Sequence, residues 1–138
     1  MALKTLREAL VTIYNADATV QGVTGRTTRN LVARGAVTEG PYPIVTYFVV
    51  SGPKAAGTNG RRRVRMQVEA WADLREATSD PITQLETLID RARALFTGPG
   101  LAAQSVDASV GPIGNRRDGL GDEGIRCIAE DFIFEVAE

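Results

Sequence analysis

The sequence predicts an α+β domain: a mainly antiparallel β-sheet with two helices packed on one face and long projecting loops. Three observations predict it. Arg61 to Trp71 reads RRRVRMQVEAW, where Val64, Met66, Val68 and Ala70 share one parity and Arg65, Gln67, Glu69 and Trp71 the other, the two-residue period of a half-buried strand. A β-branched and aromatic run, IVTYFVV at Ile44 to Val50, comes just before it. Two stretches of helical apolar period flank this pair of strands in the chain. The 138 residues suit one domain spanning the whole chain, long enough to bury a core without staples.

The elements follow in order. Leu3, Leu6, Leu10 and Ile13 recur at three- and four-residue steps, with Lys4, Arg7 and Glu8 off the stripe, so an amphipathic helix opens the chain and turns near Asn15 to Asp17. Asp17 is placed to cap a second short turn carrying Val20 and Val23, with Gly22 and Gly25 ending it. Thr24 to Pro43 is polar and broken by Gly35, Gly40, Pro41 and Pro43, the composition of a surface loop with a short strand through Leu31 to Ala33. Ile44 to Val50 reads as a strand covered on both faces near the sheet centre. Ser51 to Gly60, SGPKAAGTNG, is the long hairpin tip that returns the chain into the arginine-led strand.

Asp80 is a good N-cap and Pro81 fits a first helical position. Ile82, Leu85, Leu88, Ile89, Ala92, Leu95 and Phe96 then form one broad apolar stripe, with Glu86, Asp90 and Arg93 opposite; a start one turn earlier, through Leu74 to Ala77, is equally compatible. Gly98-Pro99-Gly100 is expected to stop this helix. Val106 and Val110 suit a short strand, Gly111 to Gly124 reads as a second glycine-rich loop, and Ile125 to Val136 as a terminal strand with a bulge near Glu130 and Asp131, where the apolar parity breaks.

Composition excludes several classes of function. The chain is 43% hydrophobic, 24% charged and 6% aromatic with a formal net charge of −1, so no global field draws it to nucleic acid or an acidic membrane. Cys127 stands alone, which rules out an intramolecular disulfide, suits a reducing cytoplasm and reads as a small buried apolar side chain. Met1 to Leu10 lacks the apolar run of a signal peptide and no later stretch approaches a membrane span, so neither secretion nor membrane contact is expected. There is no histidine, hence no ordinary proton shuttle at neutral pH.

The motifs point away from catalysis. Gly52-Pro53-Lys54-Ala55-Ala56-Gly57-Thr58 has two glycines at phosphate-loop spacing, but no lysine follows the second and the loop leads into a strand instead of a helix. Glu69 with Asp73, Asp122 with Glu123, and Glu130 with Asp131 are paired acids that would hold a divalent ion or exchange protons only if they converged in a pocket; for Glu69 and Asp73, at a strand end, solvated charge is the plainer reading. No enzyme activity, metal or cofactor is expected. Arg61, Arg62, Arg63 and Arg65 are the densest positive charge. They read either as a soluble hairpin end that discourages edge pairing or as a contact for an acidic partner or phosphate backbone, with Lys54 before them and Arg116 and Arg117 as extensions. No aromatic residue interleaves with them as single-strand stacking would need. Trp71 falls on the polar parity, so it is held from water either by a covered second face or by a subunit contact.

The order of these segments carries a resemblance. LREALVTIYNADATVQGVTG, PYPIVTYFVVSG, a strand passing into a helix that ends RARALFTG, and the closing RRDGLGDEGIRCIAEDFIFEV together resemble the small tail-completion, or tail-terminator, proteins of long-tailed bacteriophages and related prophage elements. The most specific piece is a VQVxxWADxxxEA-like pattern, present as VRMQVEAWADLREA. The resemblance covers nearly the whole chain and implies an α+β subunit that forms a homo-hexameric ring on the finished tail tube, ends its elongation and presents the head-joining surface. Implied partners are further copies of the chain, the tail tube protein, head–tail connector or neck proteins, and non-specifically the DNA in the channel. The implied place is the tail neck of a virion assembled in a bacterial cytoplasm. The family offers no catalytic residues to carry over. The chain departs from the pattern by a longer Ala77 to Pro81 stretch and an extended Gly111 to Gly124 loop. A head-completion adaptor on the portal side and a small nucleic-acid-binding module are the competing readings.

Overall fold

The computed structural model describes residues 2–34, 41–51, 61–75, 81–112, 116–120 and 124–137. The elements are α1 (Ala2–Asn15), α2 (Ala18–Thr24), β1 (Leu31–Ala33), β2 (Ile44–Ser51), β3 (Arg61–Asp73), α3 (Pro81–Leu95), α4 (Gly98–Ala102), β4 (Ala108–Pro112), β5 (Arg117–Leu120) and β6 (Ile125–Ala137). The α+β class stands, with six strands in the order β1-β2-β3-β6-β4 and β5 also paired to β6. Every pairing is antiparallel except β1 with β2. Four helices, not two, accompany the sheet among the described residues.

β3 and β6 form the spine, paired without interruption from Arg61↔Ala137 to Asp73↔Ile125. The predicted alternation of β3 holds: Val64, Met66, Val68 and Ala70 are all fully buried. Opposite them on β6 lie Phe134, Phe132, Glu130 and Ile128, so this inner face of both strands meets the helices. Leu6 and Leu10 of α1, and Leu85, Leu88, Ile89 and Ala92 of α3, complete the core. An aromatic row crosses it, with ring centroids 5.8 Å apart for Tyr14 and Phe96, 5.7 Å for Phe96 and Phe132 and 6.2 Å for Phe132 and Phe134. The buried Tyr14 hydroxyl donates to the Leu88 carbonyl at 2.7 Å, so the one polar atom of that row is satisfied.

Local chemistry explains the helix ends. The Asp17 carboxylate accepts from the Val20 backbone N–H at 3.1 Å and caps α2, while Gly25 closes it in the left-handed region at φ 73°, where glycine carries no Cβ penalty. Gly22 lies inside α2 and does not end it. Pro81 does open α3, and Leu74 sits in a turn outside it; Asp80 lies outside the described residues. α3 ends at Leu95, before Gly98-Pro99-Gly100, because Thr97 caps a further short helix through a bond from the Gly100 N–H at 3.0 Å and Pro99 fits that helix's first turn.

Other expectations are corrected by tertiary pairing. β2 lies between the short β1 and the middle strand β3, near the sheet centre as expected; Ile44, Val45 and Thr46 are fully buried in succession, so its first half is covered on both faces, but Phe48 and Val50 are exposed and the cover does not reach its end. The segment before it is only partly a surface loop. Asn30 and Leu31 are buried, the Asn30 N–H donates to Asn15 Oδ1 at 2.9 Å, and Arg26 donates to the Pro43 carbonyl at 2.6 Å. Val106 precedes β4 and does not belong to it. The Gly111 to Gly124 stretch contains β5, whose Arg117, Asp118, Gly119 and Leu120 pair with Ala129, Ile128, Cys127 and Arg126. No bulge interrupts β3 and β6 at Glu130 and Asp131. Glu130 stays on the inner parity, fully buried, because Arg93 of α3 and Arg116 both bind its carboxylate. The hairpin tip at residues 52–60, with Lys54, lies outside the described residues, as do Gly35, Gly40, Asp122 and Glu123.

Candidate interaction surface

The outer face of the sheet carries an extended polar network among the described residues. Strand parity places Arg63, Arg65, Gln67, Glu69 and Trp71 of β3 on it, beside Thr46 and Phe48 of β2, Cys127 and Asp131 of β6 and Arg117 of β5. Glu69 is 2% exposed. Its carboxylate accepts from the Thr46 hydroxyl at 3.3 Å and Gln67 Nε2 at 3.0 Å, and Arg34 lies 3.2 Å away. The Trp71 indole N–H donates to Thr46 Oγ1 at 2.9 Å, which ties the tryptophan into the same network. Arg117 donates to Gln67 Oε1 at 2.8 Å and to Asp131 at 2.8 Å, and Arg65 reaches the same carboxylate at 2.8 Å.

The electrostatic consequence is a set of positioned arginines over buried acids. Burial pushes the Asp131 carboxyl up, but the hydrogen bonds and charges of Arg117 and Arg65 outweigh it and hold it below the usual carboxylate range. Asp131 in return keeps Arg117 charged above its ordinary range. Arg65 and Arg117 are nearly half exposed, so each presents N–H donors to solvent from a fixed base. The reading of Glu69 and Asp73 as solvated charge is overturned. Both are buried, and Asp73 accepts from the Arg75 backbone and guanidinium at 2.9 Å.

The sequence-nominated arginines divide. Arg65 and Arg117 meet at Asp131. Arg63 is exposed on the same face, whereas Arg62 falls on the inner parity opposite Val136 and Arg61 starts β3 with its backbone paired to Ala137. Arg116 leaves this face entirely, bridging Glu130 at 3.1 Å and Asp90 at 2.6 Å on the helix side. Trp71 is half-buried. Sequence reasoning missed Arg34, Phe48, Gln67 and Asp131. The parity of Asp131 against Arg65 would have signalled the pairing had the register been known, since one-residue slips invert every facing.

Acid–base or nucleophilic chemistry finds little support here. Burial pushes the Cys127 thiol up to about 12, with the Glu69 charge adding in the same direction, which leaves it un-ionised at neutral pH. Among the described residues no group of three or more cysteines and carboxylates could hold a metal ion. No helix among them is long and apolar enough to cross a membrane.

No protein-family model matches the chain, and no curated protein matches it by sequence. A solved structure does. The chain is similar to one in the "Virion of native gene transfer agent (GTA) particle" at a TM-score of 0.70 and 14% identity, over 99% of this chain and 98% of the other. At that identity the likeness establishes a shared fold.

Proposed function

We propose that this protein is a structural subunit of a phage-type particle, a ring that caps the tail tube, ends its elongation and provides the surface for joining the head. The observation that carries the reading is the end-to-end likeness to a chain of a gene transfer agent virion, over 99% of this chain and 98% of the other. The tail-end position rests on the resemblance of VRMQVEAWADLREA and the segment order to tail terminators. The outer sheet face suits such a role, because rigid strands carrying anchored arginines and exposed apolar groups make a docking surface without any reactive group. The partners proposed are copies of the chain, the tube protein below and neck proteins above, with the DNA passing through the ring. One domain spanning the chain, acting without catalysis, completes the reading.

Antibody against the chain, applied with gold label to negatively stained particles from the element that encodes it, tests this. Label confined to the head–tail junction is expected. Label over the head shell, along the tail, or absent from particles contradicts it.

A further inference from the structure

The proposal below rests on the ring-forming reading and names the surfaces that make the contact. Phe48 and Val50 are the large hydrophobic side chains left exposed among the described residues, at 42% and 44%, and they sit two apart on β2. The guanidinium of Arg34 lies over the Phe48 ring, 5.1 Å from its centroid. Single exposed apolar groups are ordinary, but an adjacent pair backed by a stacked cation is a preformed ridge. Tyr47, the residue before Phe48, points to the opposite face of the sheet. There it forms one wall of a groove of about 490 Å³ against α1, with Arg7, Glu8, Val11 and Thr12.

Phe48 and the groove therefore lie on opposite sides of one strand, with Val50 next to Phe48 at the point where the register of β2 against β3 shifts. A self-matching patch closes a two-fold dimer, whereas a ring needs two different patches that fit each other and face away from one another. We propose that the Phe48 and Val50 ridge of one copy docks in the groove between α1 and β2 of the next copy, making the head-to-tail contact that closes a ring. The apolar pair covers Val11 and Tyr47. Arg34, carried beside Phe48 and already 3.2 Å from Glu69, keeps 47% of its side-chain surface exposed and turns that side to the Glu8 carboxylate, while the reversed placement would set it against Arg7. That charge pattern fixes one register and disfavours the other. The groove is within the range of about 300–1,000 Å³ usual for binding clefts, roomy enough for two apolar side chains.

Phe48→Asp blunts the ridge and Thr12→Arg fills the groove, both at exposed positions, with far-UV circular dichroism verifying that each variant keeps its fold. Light scattering after gel filtration at about 100 μM, where a contact of micromolar or tighter Kd is largely occupied, reads the assembly. Wild type is expected as a ring and each variant alone as a monomer. An equimolar mixture is expected to give dimers and nothing larger, because the intact ridge of T12R enters the intact groove of F48D and no further contact remains. Rings formed by either variant, a mixture that stays monomeric, or a monomeric wild type each overturn the proposal. A ring indifferent to both substitutions overturns these surfaces alone. The tail-end assignment is decided separately, by where the gold label falls.

Discussion

Glu130 offers the sharpest test of how the fold is held. It is fully buried on the inner face of β6, opposite Val68 and between Ile128 and Phe132 along the strand, with Arg93 and Arg116 as its partners. A buried ion pair contributes little net stability over an apolar replacement, yet stranding one partner is costly. The two arginines keep 50% and 27% of their side-chain surface in water, so they can relax into solvent when Glu130 is removed, but Glu130 cannot relax when they are removed. The double change Arg93→Ala with Arg116→Ala therefore costs about 3–5 kcal/mol, taken at its lower end because solvent reaches the site from the arginine side. Glu130→Met, of similar length and apolar, costs less than about 1 kcal/mol or stabilises. With a urea m-value of about 2 kcal/mol/M, the double variant should unfold about 1.5 M earlier and Glu130→Met no more than about 0.5 M below the wild-type midpoint, or above it. Urea titrations at one fixed protein concentration, followed by Trp71 fluorescence, read both. A double alanine variant within about 0.3 M of wild type would refute the reasoning.

Two further predictions concern titration. Asp17 caps α2 and accepts a forked pair from Arg91 at 2.7 and 3.0 Å, and these bonds hold its carboxyl below the usual range. Asp17→Ala should cost about 1–2 kcal/mol at neutral pH. A depressed folded pKa stabilises fully above the unfolded value of about 3.9 and loses that contribution as pH falls through the folded value, so the gap between wild type and variant in thermal melts should close in acid; a gap constant down to about pH 2 would contradict it. Cys127, with its thiol pushed up to about 12, should react with an aromatic disulfide reagent at pH 8 at least about 100-fold more slowly folded than in denaturant. Equal rates would show the thiol to be open and ionisable.

What the chain disclosed in advance was whatever local period alone decides. The alternation of Val64 to Ala70, the stripe from Leu85 to Ala92 and the Asp17 cap each depend on residues within a few positions, and each is where the pattern put it. What was hidden depended on distant partners. Glu130 interrupts an apolar parity, and sequence logic supplies a bulge there; the structure supplies two arginines, one of them thirty-seven residues away in α3. The strand inside the Gly111 to Gly124 stretch has no period of its own and is recruited by the free side of β6. The interaction surface suffered the same limit. An arginine run looks like one cluster in a string, but a strand divides it between two faces, and only Arg65 found its counterpart Arg117, across β6. Exposure of Phe48 was unreadable because β2 and a doubly covered strand share one composition.

The central claim is that this chain ends a tail at its proper length. The most direct measurement is the tail-length distribution, by negative-stain electron microscopy, of particles produced when its gene carries an early stop codon. The account predicts overlong or irregular tails beside unattached, filled heads, with normal lengths restored by supplying the wild-type chain. Tails of unchanged length beside emptied heads would move the protein to the head side, and intact joined particles would contradict the account altogether.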